Sequence, residues 1–138
     1  MSFIPKNIKF PKVQKKKIKN LTSTNTELVF GTVGLKIAEN GFLTSKQLDM
    51  LKLLLSKSLK KQGQYWIRVF SHFPVTSKPL EVRMGKGKGY VDKWICKLKV
   101  GVILCEISGL SLKNSIQILK KISLKLPLLT IFISKVQC

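Results

Sequence analysis

The first sustained hydrophobic signal covers residues 26–38, TELVFGTVGLKIA, whose β-branched and aromatic residues predict a strand. Gly31 and Gly34 interrupt it, so a bulge or a close approach of another backbone is expected there. After residue 44 the period becomes helical: Leu48, Leu51, Leu55 and Leu59 recur on one face, Thr44 and Gln47 have capping-box spacing, and Gly63 suits a C-cap. The spacing predicts a helix over 45–61, with Lys52, Lys57, Lys60 and Lys61 on its opposite face. A solvated face and a phosphate-binding face are both open readings of those lysines.

Residues 65–70, YWIRVF, alternate Trp66, Arg68 and Phe70 against Tyr65, Ile67 and Val69, the period of a strand with at least one buried face. Pro74 and Pro79 bracket an expected irregular connection, and LEVR resumes a short strand with Leu80 and Val82 inward. Farther on, Trp94, Cys96 and Leu98 alternate with Lys93, Ile95, Lys97 and Lys99, and VGVILCEI returns around Gly101, which predicts a β-hairpin. A turn at Val100 and Gly101 would set Cys96 opposite Cys105, Leu98 opposite Ile103 and Trp94 opposite Ile107. A second helix is predicted over 111–125 with the stripe Leu112, Ile116, Leu119, Ile122 and Leu126, stopped by Pro127, before a last strand in LLTIFIS. No βαβ alternation and no internal repeat appears. The order predicts an α+β fold, a mixed or antiparallel sheet covered by two helices.

Length and charge add the partner. The 138 residues suit one domain, read as a basic arm over 1–25 and a folded body over 26–138. Lysine and arginine number 26 against six acids, a net charge of +20, yet 44% of the residues are hydrophobic and can fill a core. A folded body with a basic exterior calls for a polyanion: nucleic acid first, an acidic membrane surface second. No apolar run approaches the ~20 residues of a membrane span. The first twenty residues hold two prolines and no apolar h-region, unlike a signal peptide or helical presequence. Heavy use of Lys, Ile, Asn and Leu, with Arg68 and Arg83 the two arginines, is the bias of an AT-rich coding genome and points to organelle coding.

Candidate chemistry narrows little further. Cys96, Cys105 and Cys138 include no CxxC and have His72 alone for company, so neither a metal site nor any other cofactor is expected. Cys96 and Cys105 could meet as a disulfide, although buried free thiols fit better. His72 reads as a surface residue, and no nucleophile has a base at a recognisable offset, so an enzyme is not expected. Residues 83–90, RMGKGKGY, are different: Gly85, Gly87 and Gly89 allow positive φ and close approach, while Lys86 and Lys88 bring charge. The spacing matches neither GxxxxGK[ST] nor GxGxxG, and a strand follows instead of a helix. A long charged loop that enters a narrow space, or a plain hairpin tip, remains.

FGTVGLKI, GFLTSKQLD, KKQGQYWIRVF, KPLEVRMGKGKG and KLP, in that order, resemble the large-subunit ribosomal protein sixteen family over about Pro5 to Lys135. The resemblance implies a structural constituent of the large ribosomal subunit whose partners are large-subunit rRNA, the tRNA acceptor arm and neighbouring ribosomal proteins. It implies that Arg83, Met84, Gly85, Lys86, Gly87, Lys88 and Gly89 form a loop near tRNA at the peptidyl transferase centre, where the chemistry belongs to RNA. The rRNA contacts are expected from Lys6, Lys9, Lys12, Lys15, Lys16, Lys17 and Lys19 of the arm, from Lys57, Lys60 and Lys61, and from Arg68. Three departures stand out: QKKKIKN in an arm that is Arg- and Gly-rich in bacterial relatives, Phe73 where relatives tend to be basic, and KVGV in place of a proline-glycine turn. With the lysine bias they point to a mitochondrial ribosome, with a plastid or bacterial cytoplasm as the alternative. A basic RNA- or DNA-binding protein outside the ribosome is the rival reading.

Overall fold

The computed structural model describes residues 3–18, 22–60 and 62–135. Among these, seven strands and two helices follow in the order β1 Val33–Ile37, β2 Gly41–Thr44, α1 Ser45–Leu59, β3 Gln64–Ile67, β4 Phe73–Ser77, β5 Tyr90–Leu98, β6 Ile103–Ser108, α2 Leu112–Ser123 and β7 Thr130–Ser134. The predicted α+β class is the class found. Its strands are divided between two antiparallel sheets, ordered β3-β6-β1-β7 and β2-β5-β4.

Helix α1 forms where its pattern places it. The Thr44 hydroxyl accepts from the Gln47 N–H at 3.3 Å, and the Gln47 side chain accepts from the Thr44 N–H at 2.8 Å, so two orphan donors of the first turn are satisfied. Leu48, Leu51, Leu55 and Leu59 are all buried. The helix ends at Lys60, which takes the left-handed conformation (φ 42°), three residues before the expected glycine cap can act. Gly63 instead lets β3 approach β6, since a Cβ there would lie 2.6 Å from the Ser108 carbonyl. Helix α2 buries Ser115, Leu119 and Ile122. The expected stripe is rotated: Leu112 and Ile116 are exposed, because α2 turns the small Ser115 toward its packing neighbours α1, β1 and β7.

The core lies between the helices and the inner faces of both sheets. Leu35 of β1, Leu43 of β2, Leu98 of β5 and Ile107 of β6 meet Leu51 and Leu119 of the helices in one buried cluster. Each such side chain contributes about 1.5–3 kcal/mol by leaving water.

Three strand predictions are corrected. β5 and β6 are not a hairpin: β5 pairs with β2 and β4, while β6 pairs with β1 and β3. Cys96 is therefore opposite Leu43, Cys105 is opposite Leu35, and the two are separate buried thiols. The reason lies in the turn. Gly101 (φ 98°) donates to the Ile37 carbonyl at 2.9 Å, and the Val100 N–H donates to the Asn40 side chain at 2.9 Å. These bonds draw the chain across to β1 instead of back along β5.

Residues 73–77, expected to be irregular, form β4. Pro74 is tolerated because β4 is a sheet edge, where a missing N–H costs no interior bond. Conversely, residues 80–83 form no strand, and Leu80 and Val82 are exposed instead of inward. The strand predicted from 26 begins at Val33, and its bulge falls between Leu35 and Lys36. Close approach, the other expectation, holds at Gly31, where a Cβ would lie 2.8 Å from both Glu106 Cβ and the Ile107 carbonyl.

Candidate nucleic-acid interface

Residues 78–89 connect β4 to β5 beyond the pair Ser77 and Tyr90, so the glycine-lysine segment is the tip of a long hairpin. Its base is tight: a Cβ on Gly89 would lie 2.3 Å from the Ser77 carbonyl. Its end is open. Gly85 (φ 106°), Lys86 (φ 54°) and Gly87 (φ 85°) bend the chain through left-handed conformations, and nothing lies within 4 Å of a Cβ on either glycine. Arg83, Met84, Lys86 and Lys88 are exposed, Met84 fully so.

The basic arm lies against this hairpin. Residues 3–18 contain no helix or strand, and Lys6, Lys9, Lys12, Lys15, Lys16 and Lys17 are all exposed. At the arm's start Phe3 packs on the core, 6.2 Å from the Phe70 ring, and its carbonyl accepts from the buried Ser71 hydroxyl. Farther along, Lys12 donates to the Lys88 carbonyl at 3.0 Å while Lys88 donates back to the Val13 carbonyl at 2.7 Å. Lys12 also sits 5.4 Å over the Tyr90 ring. Lys97 of β5 extends the latch, donating to the Lys16 carbonyl at 3.1 Å from above the Phe73 ring. Arm and loop are thus held side by side, and Lys86 stays exposed.

A second arrangement fixes the outer face of the β3-β6-β1-β7 sheet. Glu106 of β6 is fully buried, yet its carboxylate accepts from the N–H groups of Gly31 at 2.7 Å and Phe30 at 2.8 Å, and it is ion-paired with Arg68. Burial alone pushes its carboxyl up, but the N–H of Gly31, the Arg68 guanidinium and the N–H of Phe30 together outweigh that and hold it below the usual value. Arg68 donates also to the Glu27 carbonyl at 3.1 Å and lies 5.3 Å over the Phe30 ring. Close approach at Gly31 is what this carboxylate requires.

The structure brings Lys12 beside residues 83–89, holds Lys16 against Lys97 of β5, and sets Lys57 and Lys60 apart at the exposed end of α1. Arg68 faces inward to Glu106, with 16% of its side chain exposed. Lys19, Lys61 and Cys138 lie outside the described residues. His72 is exposed, with its ring Nδ1 3.2 Å from the Phe70 carbonyl. Sequence reasoning missed Lys97 and Tyr90 as latch partners and Glu106 as the organising carboxylate. For Glu106 a signal existed, because a lone acid within the apolar run VGVILCEI needs a buried partner.

Among the described residues no group of three or more His, Cys, Asp or Glu side chains is placed to hold a metal ion, and no helix is long and apolar enough to cross a membrane. The ion pair among those residues is that of Arg68 with Glu106, which leaves the exposed lysines without carboxylate partners there. A folded α+β core, an unneutralised lysine surface and a protruding glycine hairpin define a scaffold protein that meets a polyanion. The family follows from comparison with known proteins: residues 5–133 match the ribosomal protein L16p/L10e family, and the chain belongs to it. It is similar to the large ribosomal subunit protein uL16 of Buchnera aphidicola subsp. Cinara cedri (strain Cc), at 47% identity over 131 residues, 95% of this chain and 96% of the relative. The protein is a structural, non-enzymatic ribosomal protein.

Proposed function

We propose that this protein, a structural constituent of the large ribosomal subunit, is seated on the subunit's RNA by its lysines and presents residues 83–89 to the acceptor arm of tRNA near the peptidyl transferase centre. One observation carries this reading: the glycine hairpin is fully open at its tip and latched at its flank to the lysine arm. An anchored flank lowers the entropy lost when the tip meets its target. The open tip admits a backbone where side chains would not fit.

In this reading residues 1–25 serve as the RNA-binding arm and residues 26–138 as the body. Lys6, Lys9, Lys12, Lys15, Lys16 and Lys17 neutralise phosphates along the arm, with Lys57 and Lys60 on α1 making a second contact. Lys19 and Lys61 belong to the same two sets by position. Arg68 serves the RNA surface through the segment 27–31 that it holds. Neighbouring ribosomal proteins meet the rest of the surface.

Lys86 and Lys88 have different parts. Lys86 reaches tRNA, whereas Lys88 ties the loop to Val13. Purified subunits carrying Lys86→Ala are expected to bind acceptor-arm tRNA more weakly and transfer peptide slowly in single turnover. Normal values of both would reduce the loop to a tolerant turn. The lysine bias and the departures from bacterial sequence support a mitochondrial ribosome and an organelle gene, with a plastid or bacterial cytoplasm as the alternative. Immunodetection in gradient-purified mitochondrial ribosomes tests that placement. A non-ribosomal nucleic-acid-binding role is favoured by charge alone, and failure to co-sediment with large subunits at high salt would select it.

A further inference from the structure

We infer that Gln64, Trp66, Arg68 and Phe30 form a stacking platform for one unpaired RNA base, a site separate from the arm and the loop. Alternate residues of a strand share a face, so Gln64 and Trp66 of β3 stand in a row. Arg68 continues the row, because its N–H still bonds the Leu104 carbonyl of β6 at 3.0 Å. The row offers an amide and an indole, with the Arg68 guanidinium held behind them between Glu106 and the Phe30 ring. It lies on the edge strand of its sheet, and Phe30 folds over it from the preceding segment.

The aromatic pair is built and then left open. Phe30 stacks on Trp66 at 5.9 Å between centroids and 24° between planes. Its backbone is fixed by the Glu106 carboxylate, and its ring is bounded by Arg68. Even so, Phe30 is 56% exposed and its neighbour Val29 57%. A buried ion pair holding a half-exposed aromatic ring in one position is an expensive way to place a residue in water. An unstacked base is a fitting occupant, because aromatic planes accept its π-face whatever its identity. A cleft of ≈ 420 Å³ lined by Gly63, Gln64, Tyr65 and Trp66 adjoins the pair. The exposed Gln64 amide can both donate to and accept from a base edge. The net charge of +20 favours a nucleotide over an apolar peptide as the visitor.

This inference rests on the RNA-binding reading, and the test separates the two. Binding of a labelled oligouridylate is followed by fluorescence anisotropy across a salt series, for the unaltered protein and for Phe30→Leu and Phe30→Trp. Loss of one stacked base is expected to weaken Phe30→Leu about tenfold. The salt slope should stay unchanged, since stacking releases no counterion, and Phe30→Trp should keep the affinity. Equal affinity of Phe30→Leu and the unaltered protein, with the steep salt slope intact, would overturn the platform and leave RNA binding standing. No binding by the unaltered protein would overturn both. As a second readout, irradiated large subunits should yield a nucleotide adduct on the peptide containing Phe30 or Trp66, whereas a crosslink there to another protein would overturn the assignment.

Discussion

Arg68→Met tests whether the Glu106 arrangement holds the fold. The substitution keeps an unbranched apolar stem and removes the guanidinium with its charge, leaving a fully buried carboxylate with only the backbone donors of residues 29–31. Breaking a buried ion pair from one side costs about 3–5 kcal/mol. Arg68 is 16% exposed and the backbone donors remain, so the lower figure, about 3 kcal/mol, applies. At about 2.1 cal/mol/K per residue, 138 residues give an unfolding entropy near 0.29 kcal/mol/K, so the midpoint should fall about 10 °C. Adding Glu106→Gln, which removes the stranded charge and still accepts an N–H, should recover at least half of that loss. Urea and thermal unfolding at fixed salt measure both variants.

The pH dependence has a definite sign. In the unaltered protein the Glu106 carboxyl is held below its ordinary value of 4.5, so its contribution is complete above that value. It is lost as pH falls through the lower, folded value. Arg68→Met removes a cause of the lowering. The difference between the two proteins should therefore shrink as the solution is acidified toward that lower, folded value. A loss below about 1 kcal/mol at neutral pH, strict additivity of the two substitutions, or a pH-independent difference would refute the reasoning.

Other substitutions test separate parts. Gly31→Ala should destabilise by about 1–3 kcal/mol in the same unfolding assay, because its Cβ would press on the Ile107 carbonyl at 2.8 Å. Gly87→Ala, where the added Cβ meets nothing within 4 Å, should cost about 1–2 kcal/mol through its left-handed backbone alone and lower the midpoint by about 3–7 °C. Lys57→Gln with Lys60→Gln should flatten the log affinity against log salt slope for RNA by about 0.7 per lysine on single strands; an unchanged slope would assign that helix face to solvent. In a Cys138→Ser background, burial pushes Cys96 up to about 11 and Cys105 to about 12, the latter aided by the Glu106 charge. Mass spectrometry should find neither alkylated by iodoacetamide at mildly basic pH until the protein unfolds.

The sequence by itself determined what depends on neighbours along the chain. The spacing of Leu48, Leu51, Leu55 and Leu59 and the Thr44–Gln47 box specify α1 locally, since an apolar stripe and a cap act within a few residues. Charge composition likewise identified the class of partner, and the RMGKGKG segment resembled the family that the comparison then showed. Where the pattern is period two, it states that a residue faces inward without stating which strand lies beside it. That is why the run on either side of Gly101 read as a hairpin. Tertiary bonds, among them those from Gly101 to Ile37 and from Val100 to Asn40, send β6 to a different sheet. The same limit hid β4, whose Pro74 argues against a strand until its edge position is known.

The site shows the same division. Sequence placed lysines and glycines in the arm and loop, but their pairing spans 75 or 76 positions of chain separation, and no local rule couples such residues. Arg68 looked like an RNA-facing cation because charge on an alternating strand usually points to water. Its true neighbour, Glu106, arrives from another strand 38 residues away. Desolvating that carboxylate without a partner would be too costly, so tertiary structure turned the arginine inward.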